Sequence, residues 1–149
     1  MIVQAEVNIR GPRAAIWAAI ADIEHAAGLI SGITGIEIVE KPAQGLVGLR
    51  WRETRLLFGK PATAEKWITH AIEYESYQTR AESDGFIFLS TIRIAGDGPE
   101  LSLTSVHESQ PQSLKAKLFS APMMVLFKGV MRKALLQYLN DIMTAVERG

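Results

Sequence analysis

Glu53 and Arg55 stand two residues apart in Val47-Gly48-Leu49-Arg50-Trp51-Arg52-Glu53-Thr54-Arg55. In an extended strand, residues i and i+2 project from the same side. Val47, Leu49 and Trp51 therefore share a face with Glu53 and Arg55, while Arg50, Arg52 and Thr54 take the other. With the apolar face turned inward, a carboxylate and a guanidinium meet at the end of an apolar interior. Such a pair can orient a ligand carbonyl or hydroxyl through charge-assisted hydrogen bonds. It can also divide acid/base work and oxygen polarisation between its members, which makes Glu53 and Arg55 the candidate catalytic residues. A salt bridge on the rim, after the strand has left the core, is the plainer alternative.

Other polar residues offer less chemistry. His25, His70 and His107 lie far apart and lack metal-ligand spacing with one another. His70 and Glu73 are three apart, which on a strand sends them to opposite faces. Ser31, Ser90 and Ser105 have no nucleophile-elbow context. Gly96-Asp97-Gly98 reads as a hairpin, because no helix follows it to hold a phosphate. The absence of cysteine removes disulfides, thiolate nucleophiles and sulfur-based zinc sites. No metal and no cofactor is expected.

The elements that must position these side chains follow from periodicity. Val3, Ala5, Val7 and Ile9 alternate with Gln4, Glu6 and Asn8, a first strand with one buried face. Gly11-Pro12 ends it, and Pro12 suits the first turn of a helix carrying Ile16, Trp17 and Ile20. Asp22 is placed to cap a second short helix over Ile23 to Leu29. Period two then returns, with turns at Gly45, Gly59-Lys60-Pro61, Asp84-Gly85 and Gly96-Asp97-Gly98-Pro99. It predicts strands near 35–41, 46–57, 62–74, 77–84, 86–95 and 100–108. After Pro111, an apolar stripe of Leu114, Leu118, Met124, Phe127, Met131, Leu135, Tyr138, Ile142 and Ala145 marks one long helix. Pro122 is expected to kink that helix or to split off a leading turn.

Strand parity then names the inner side chains. On the fourth strand two sets compete, Trp67, Thr69 and Ala71 against Ile68, Ile72 and Tyr74. The fifth favours Tyr77, Thr79, Ala81 and Ser83; the sixth Phe86, Phe88, Ser90, Ile92 and Ile94; the seventh Leu101, Leu103 and Ser105. Candidate ligand contacts on the sheet are thus Trp51, Trp67, Thr69, Thr79, Phe86, Phe88, Ser90, Ile92 and Leu103. Met124, Phe127, Met131 and Leu135 add the helix side. Aromatic and methionine side chains at such positions equally serve a closed core.

The 16 basic and 16 acidic residues cancel, so no net field gathers nucleic acid or an anionic membrane. With 48% hydrophobic and 21% charged residues, the chain has the composition of a folded protein. Its 149 residues suit one domain over 1–149. No run approaches the roughly 20 apolar residues of a membrane span. Met1 is followed by no signal-peptide pattern, so a cytoplasmic location is expected. The element order implies an α+β architecture: a curved seven-stranded antiparallel sheet, two short helices after strand one, and a long C-terminal helix on the concave face. One helix does not fill such a sheet, and the space left over is the expected binding cavity.

Several segments also carry a resemblance. Ala14-Ala15-Ile16-Trp17 to Asp22, Gly48-Leu49-Arg50-Trp51-Arg52-Glu53, Phe58-Gly59-Lys60, and Pro122 to Ala134 with Lys128-Gly129 are the segments concerned. They resemble the first helix, third strand, following turn and terminal helix of the START-like (SRPBCC) helix-grip superfamily. That superfamily includes START lipid-transfer domains, the major birch pollen allergen and bacterial polyketide cyclase/dehydrase-like proteins. The likeness covers essentially the whole chain, is nearest to the small bacterial members, and speaks for fold more than for chemistry. It implies a central cavity for an apolar ligand; members bind lipids, quinones, plant hormones or polyketide intermediates, and only some catalyse a reaction.

Three functions are left open. The leading one is non-covalent binding or carriage of a small hydrophobic or polyketide-like ligand, by a monomer or homodimer. The second is a cyclase or dehydratase with Glu53 as acid/base and Arg55 polarising oxygen. The third is a protein-interaction module with a collapsed pocket.

Overall fold

The alternating segment after Met1 forms β1 (Ile2–Arg10), with Val3, Ala5 and Ile9 buried and Gln4, Glu6 and Asn8 exposed. The computed structural model describes residues 1–83 and 85–149, apart from the side chains at 116 and 118–126. Gly11 lets the chain turn close against the C-terminal helix, since a Cβ there would stand 2.9 Å from Val146 Cγ1. Pro12 sits just before α1 (Arg13–Ala21), one position ahead of the expected first turn. A 3₁₀ turn (Ile23–His25) and α2 (Ala26–Leu29) follow. Asp22 does not cap this turn as expected; His25, three residues on, captures its carboxylate through Nδ1 at 2.8 Å.

The remaining strands are β2 (Ile33–Glu40), β3 (Arg50–Leu57), β4 (Lys60–Ile72), β5 (Ser76–Ser83), β6 (Phe86–Ala95) and β7 (Glu100–Pro111). The sheet order is β1-β7-β6-β5-β4-β3-β2, antiparallel throughout. Strands β2 to β7 pair with their chain neighbours, so hairpins and short loops join them. β1 and β2 occupy opposite edges, and α1, the 3₁₀ turn and α2 carry the chain between them. This is the α+β helix-grip arrangement expected from the element order, closed by α3 (Leu114–Arg148).

Some boundaries differ from the predicted ones. β3 starts at Arg50 rather than 46, because the chain loops through Gly48 at a φ of 93°. β7 extends to Pro111, where it pairs with Phe86. Asp84 of the expected Asp84-Gly85 turn lies outside the described residues. α3 runs unbroken from Leu114, so no leading turn splits off at Pro122. The side chains of Pro122, Leu118 and Met124 lie outside those described. Among the described residues no helix is long and apolar enough to cross a membrane.

α3 packs mainly on β1, β7 and α1. There Ile9, Ile16, Ile20, Leu103, Leu139 and Ile142 are each at most 1% exposed. The α3 residues of this core lie between Leu135 and Val146. Leu114 and Phe127, assigned above to the buried stripe, precede that stretch and are exposed, Phe127 to 38%.

Candidate functional site

The inner face of the sheet away from β1 is not filled in this way. A partly open cavity of about 300 Å³ remains between the sheet, the α1–α2 connection and α3. α1, α2 and the segments around them contribute Ile20, Ile23, Leu29 and Ile30, and α3 contributes Met131, Leu135, Tyr138 and Ile142 at steps of three and four. The sheet contributes nearly all the polar groups.

β3 alternates as its sequence demands, so Trp51, Glu53 and Arg55 all point to the cavity. β4 does not alternate simply. Its register against β5 shifts between Ile68 and His70, a bulge at Thr69. Neither of the two competing inward sets is therefore adopted whole: Lys66, Ile68 and Ala71 lie opposite Ala81, Thr79 and Tyr77 on the inner face. Trp67 is turned outward beneath the Arg50 guanidinium, 4.3 Å from its ring centre. Thr69 is likewise taken up outside, by Gln78 at 3.0 Å.

The cavity wall holds eight of the residues singled out above: Trp51, Glu53, Arg55, Thr79, Ser90, Ile92, Met131 and Leu135. The others lie elsewhere. Phe86 and Phe88 continue the inner face of β6 beyond the cavity, their rings stacked at 5.9 Å. Leu103 is sealed in the core, Phe127 is exposed, and Trp67 and Thr69 face outward. Met124 lies outside the described side chains. Lys66, Tyr77, His107 and Tyr138 are among the wall residues outside the candidate set. His107 continues the parity of Leu101, Leu103 and Ser105 by one step, and Tyr77 and Tyr138 belong to inward sets already recognised. Lys66 shares the parity of Ile68 in the second of the two competing sets of β4, which the bulge at Thr69 then interrupts.

Glu53 is the centre of the polar wall. Its Oε2 accepts Arg55 Nε at 2.5 Å and Lys66 Nζ at 2.8 Å, and its Oε1 accepts Trp51 Nε1 at 3.3 Å. Burial alone would push this carboxyl up, but Lys66 and Arg55 outweigh it and hold it at about 2. His107 stands across the sheet, its Nδ1 2.8 Å from Ser90 Oγ and its ring stacked on Phe88. Burial, then the charges of Lys66 and Arg55, push its imidazole down to about 4, so it is neutral near pH 7. Its Nε2 is buried and has no hydrogen-bond partner among the described residues. Tyr77 Oη donates to the Ile20 carbonyl at 2.7 Å and also meets the Tyr138 hydroxyl. Burial raises both phenols, Tyr138 to about 12. Among the described residues no three His, Asp or Glu side chains gather as a metal site.

No protein-family model matches the sequence. No curated protein matches it either. Solved structures do match its fold. An aromatase/cyclase, Zhui, from Streptomyces sp. R1128 superposes with a TM-score of 0.81 at 14% identity, over 99% of this chain and 94% of its own. A START superfamily protein from Mycobacterium smegmatis gives 0.80 at 17% identity, over 99% and 97%. Norcoclaurine synthase from Thalictrum flavum gives 0.75 at 14%, over 98% and 92%. The chain has the START/Bet v1-like helix-grip fold over its whole length, and at these identities the likeness concerns the fold alone.

Proposed function

We propose that this chain binds or carries a small hydrophobic ligand, non-covalently, in the cavity between the sheet and α3. The observation behind the reading is the cavity itself, about 300 Å³ walled by Ile23, Ile30, Ile92, Leu135 and Ile142, with a charged cluster on β3 and β4 and a few hydroxyls and His107 on β5 to β7. Burying apolar ligand surface there is favourable by ~25 cal/mol per Å² before the costs of association. A few polar groups converging on an apolar chamber are the usual make-up of a small-molecule site. The fold's occurrence in a START superfamily protein, an aromatase/cyclase and a norcoclaurine synthase supports a small-molecule occupant.

The geometry argues against the cyclase or dehydratase reading built on Glu53. A carboxyl held at about 2 has no proton to give near neutrality, and both its oxygens already accept hydrogen bonds. The collapsed-pocket reading has the open cavity against it.

Titration with N-phenyl-1-naphthylamine, an uncharged dye that brightens in apolar surroundings, tests the proposal. One saturable site is expected, and Leu135→Trp, which adds bulk on the cavity wall, is expected to weaken it. Folded protein, verified by circular dichroism, that takes up no dye saturably overturns the reading.

A further inference from the structure

The ionised groups of the β3–β4 cluster on the cavity wall do not balance. Arg55 and Lys66 are both cations, and among the described residues the only buried anion beside them is Glu53. Asp22 also borders the cavity, but it is half exposed, lies at the α1 end beside His25 and makes no ion pair with Arg55 or Lys66 among the described residues, so its charge offsets theirs only from a distance. The other polar groups on the wall are hydroxyls and the neutral imidazole of His107. One positive charge is therefore left over within this cluster, on side chains only 32% and 27% exposed, where a counter-charge is worth more than in open water.

Glu53 does not use up what the two cations offer. It engages Arg55 through Nε, and among the described residues no acceptor meets the two terminal nitrogens of that guanidinium. Those two nitrogens form the planar fork that matches a carboxylate. His107 adds Nε2, one more unpartnered polar atom, while Nδ1 stays on Ser90.

We infer that this wall is a subsite for the carboxylate of a small, otherwise apolar acid, gripped by Arg55 and Lys66 while its body lies against Leu135 and Ile142. The inference rests on the binding function proposed above and names the class of ligand. Glu53 is then the built-in counter-ion that keeps both cations extended when no ligand is present. A single surplus charge suits a monoanion, whereas a phosphate monoester brings roughly −1.5 to −2. The cavity of about 300 Å³ lies at the lower end of ligand sites, which run from roughly 300 to 1,000 Å³. It suits a single-chain or single-ring acid rather than a two-chain lipid.

Decanoate, decanol and decylamine, matched in chain and differing in head group, are to compete with the uncharged dye near pH 7. Decanoate is expected to bind about tenfold or more tightly than decanol, with decylamine weakest. Added salt should narrow the gap. Lys66→Met should remove most of the preference for the acid, and Glu53→Gln, which deletes the internal competitor, should enlarge it. Equal displacement by all three compounds from parent protein that still takes up dye overturns the acid subsite and leaves the cavity reading standing. No dye uptake at all overturns both.

Discussion

The inner face of one sheet is used in two ways. Over β1 and β7, α3 lies directly on the strands, and Ile9, Leu103 and Leu139 are sealed to 1% exposure or less. Over β3 to β6 the same face, broken by the bulge in β4, is not closed over by the described residues, and Trp51, Glu53, Thr79 and Ser90 border the cavity. Alternation makes an inner face; the placement of α3 decides whether that face becomes core or cavity. The most direct way to break this comparison is to truncate one leucine of α3 on each side of the divide. Leu139→Ala, in the sealed half, is expected to cost ~2–5 kcal/mol in urea unfolding, with the loss set by the void it leaves. Leu135→Ala enlarges a space that already exists and is expected to cost about 1 kcal/mol. Equal costs would mean that the two halves are packed alike.

Electrostatics separates the halves again, because the buried ions lie on the cavity side. Glu53 titrates normally near 4.5 and is held at about 2 in the fold. Its stabilisation is therefore complete above about 4.5 and is lost as pH falls through about 2. His107, normally at 6.5 and here at about 4, acts over the window above that. The unfolded chain takes up its proton first, so stability also declines from 6.5 towards 4. Denaturation across this range should show both steps. Glu53→Gln should lose on the order of 2–3 kcal/mol near pH 7 and little near pH 2, flattening the lower step. A parent protein equally stable near pH 7 and pH 3 would place the Glu53 cluster in solvent.

The sealed half was the more legible in the sequence, and the reason is physical. Val3 to Ile9 and Leu101 to Ser105 alternate without interruption, and such a pattern admits one burial. Trp51, Glu53 and Arg55 were readable for the same cause. The bulge at Thr69 is a backbone event that leaves no mark in residue type; it mixes the two competing sets of β4, so parity alone neither turns Trp67 and Thr69 outward nor brings Lys66 to the wall. Without Lys66, Glu53 and Arg55 make one anion and one cation, and the surplus charge of the β3–β4 cluster does not show. The α3 stripe had the right period, but period alone does not say how far along the helix its cover extends.

That last boundary is open to a small but sharp test. Phe127 and Met131 are four apart, about one turn, and so nearly on the same line of α3. Met131 borders the cavity, whereas Phe127 is exposed and stands outside its wall. If the cavity ends between them, Phe127→Ala removes a ring that is already 38% exposed, with a stability change below about 1 kcal/mol. Its dye affinity should match that of the parent. Met131→Ala removes a flexible side chain from the wall and should shift dye affinity severalfold with only a modest stability cost. Chemical denaturation and dye titration on the same two proteins read both quantities. A Phe127→Ala variant that binds dye as differently from the parent as Met131→Ala does would move the cavity boundary at least one turn towards the start of α3.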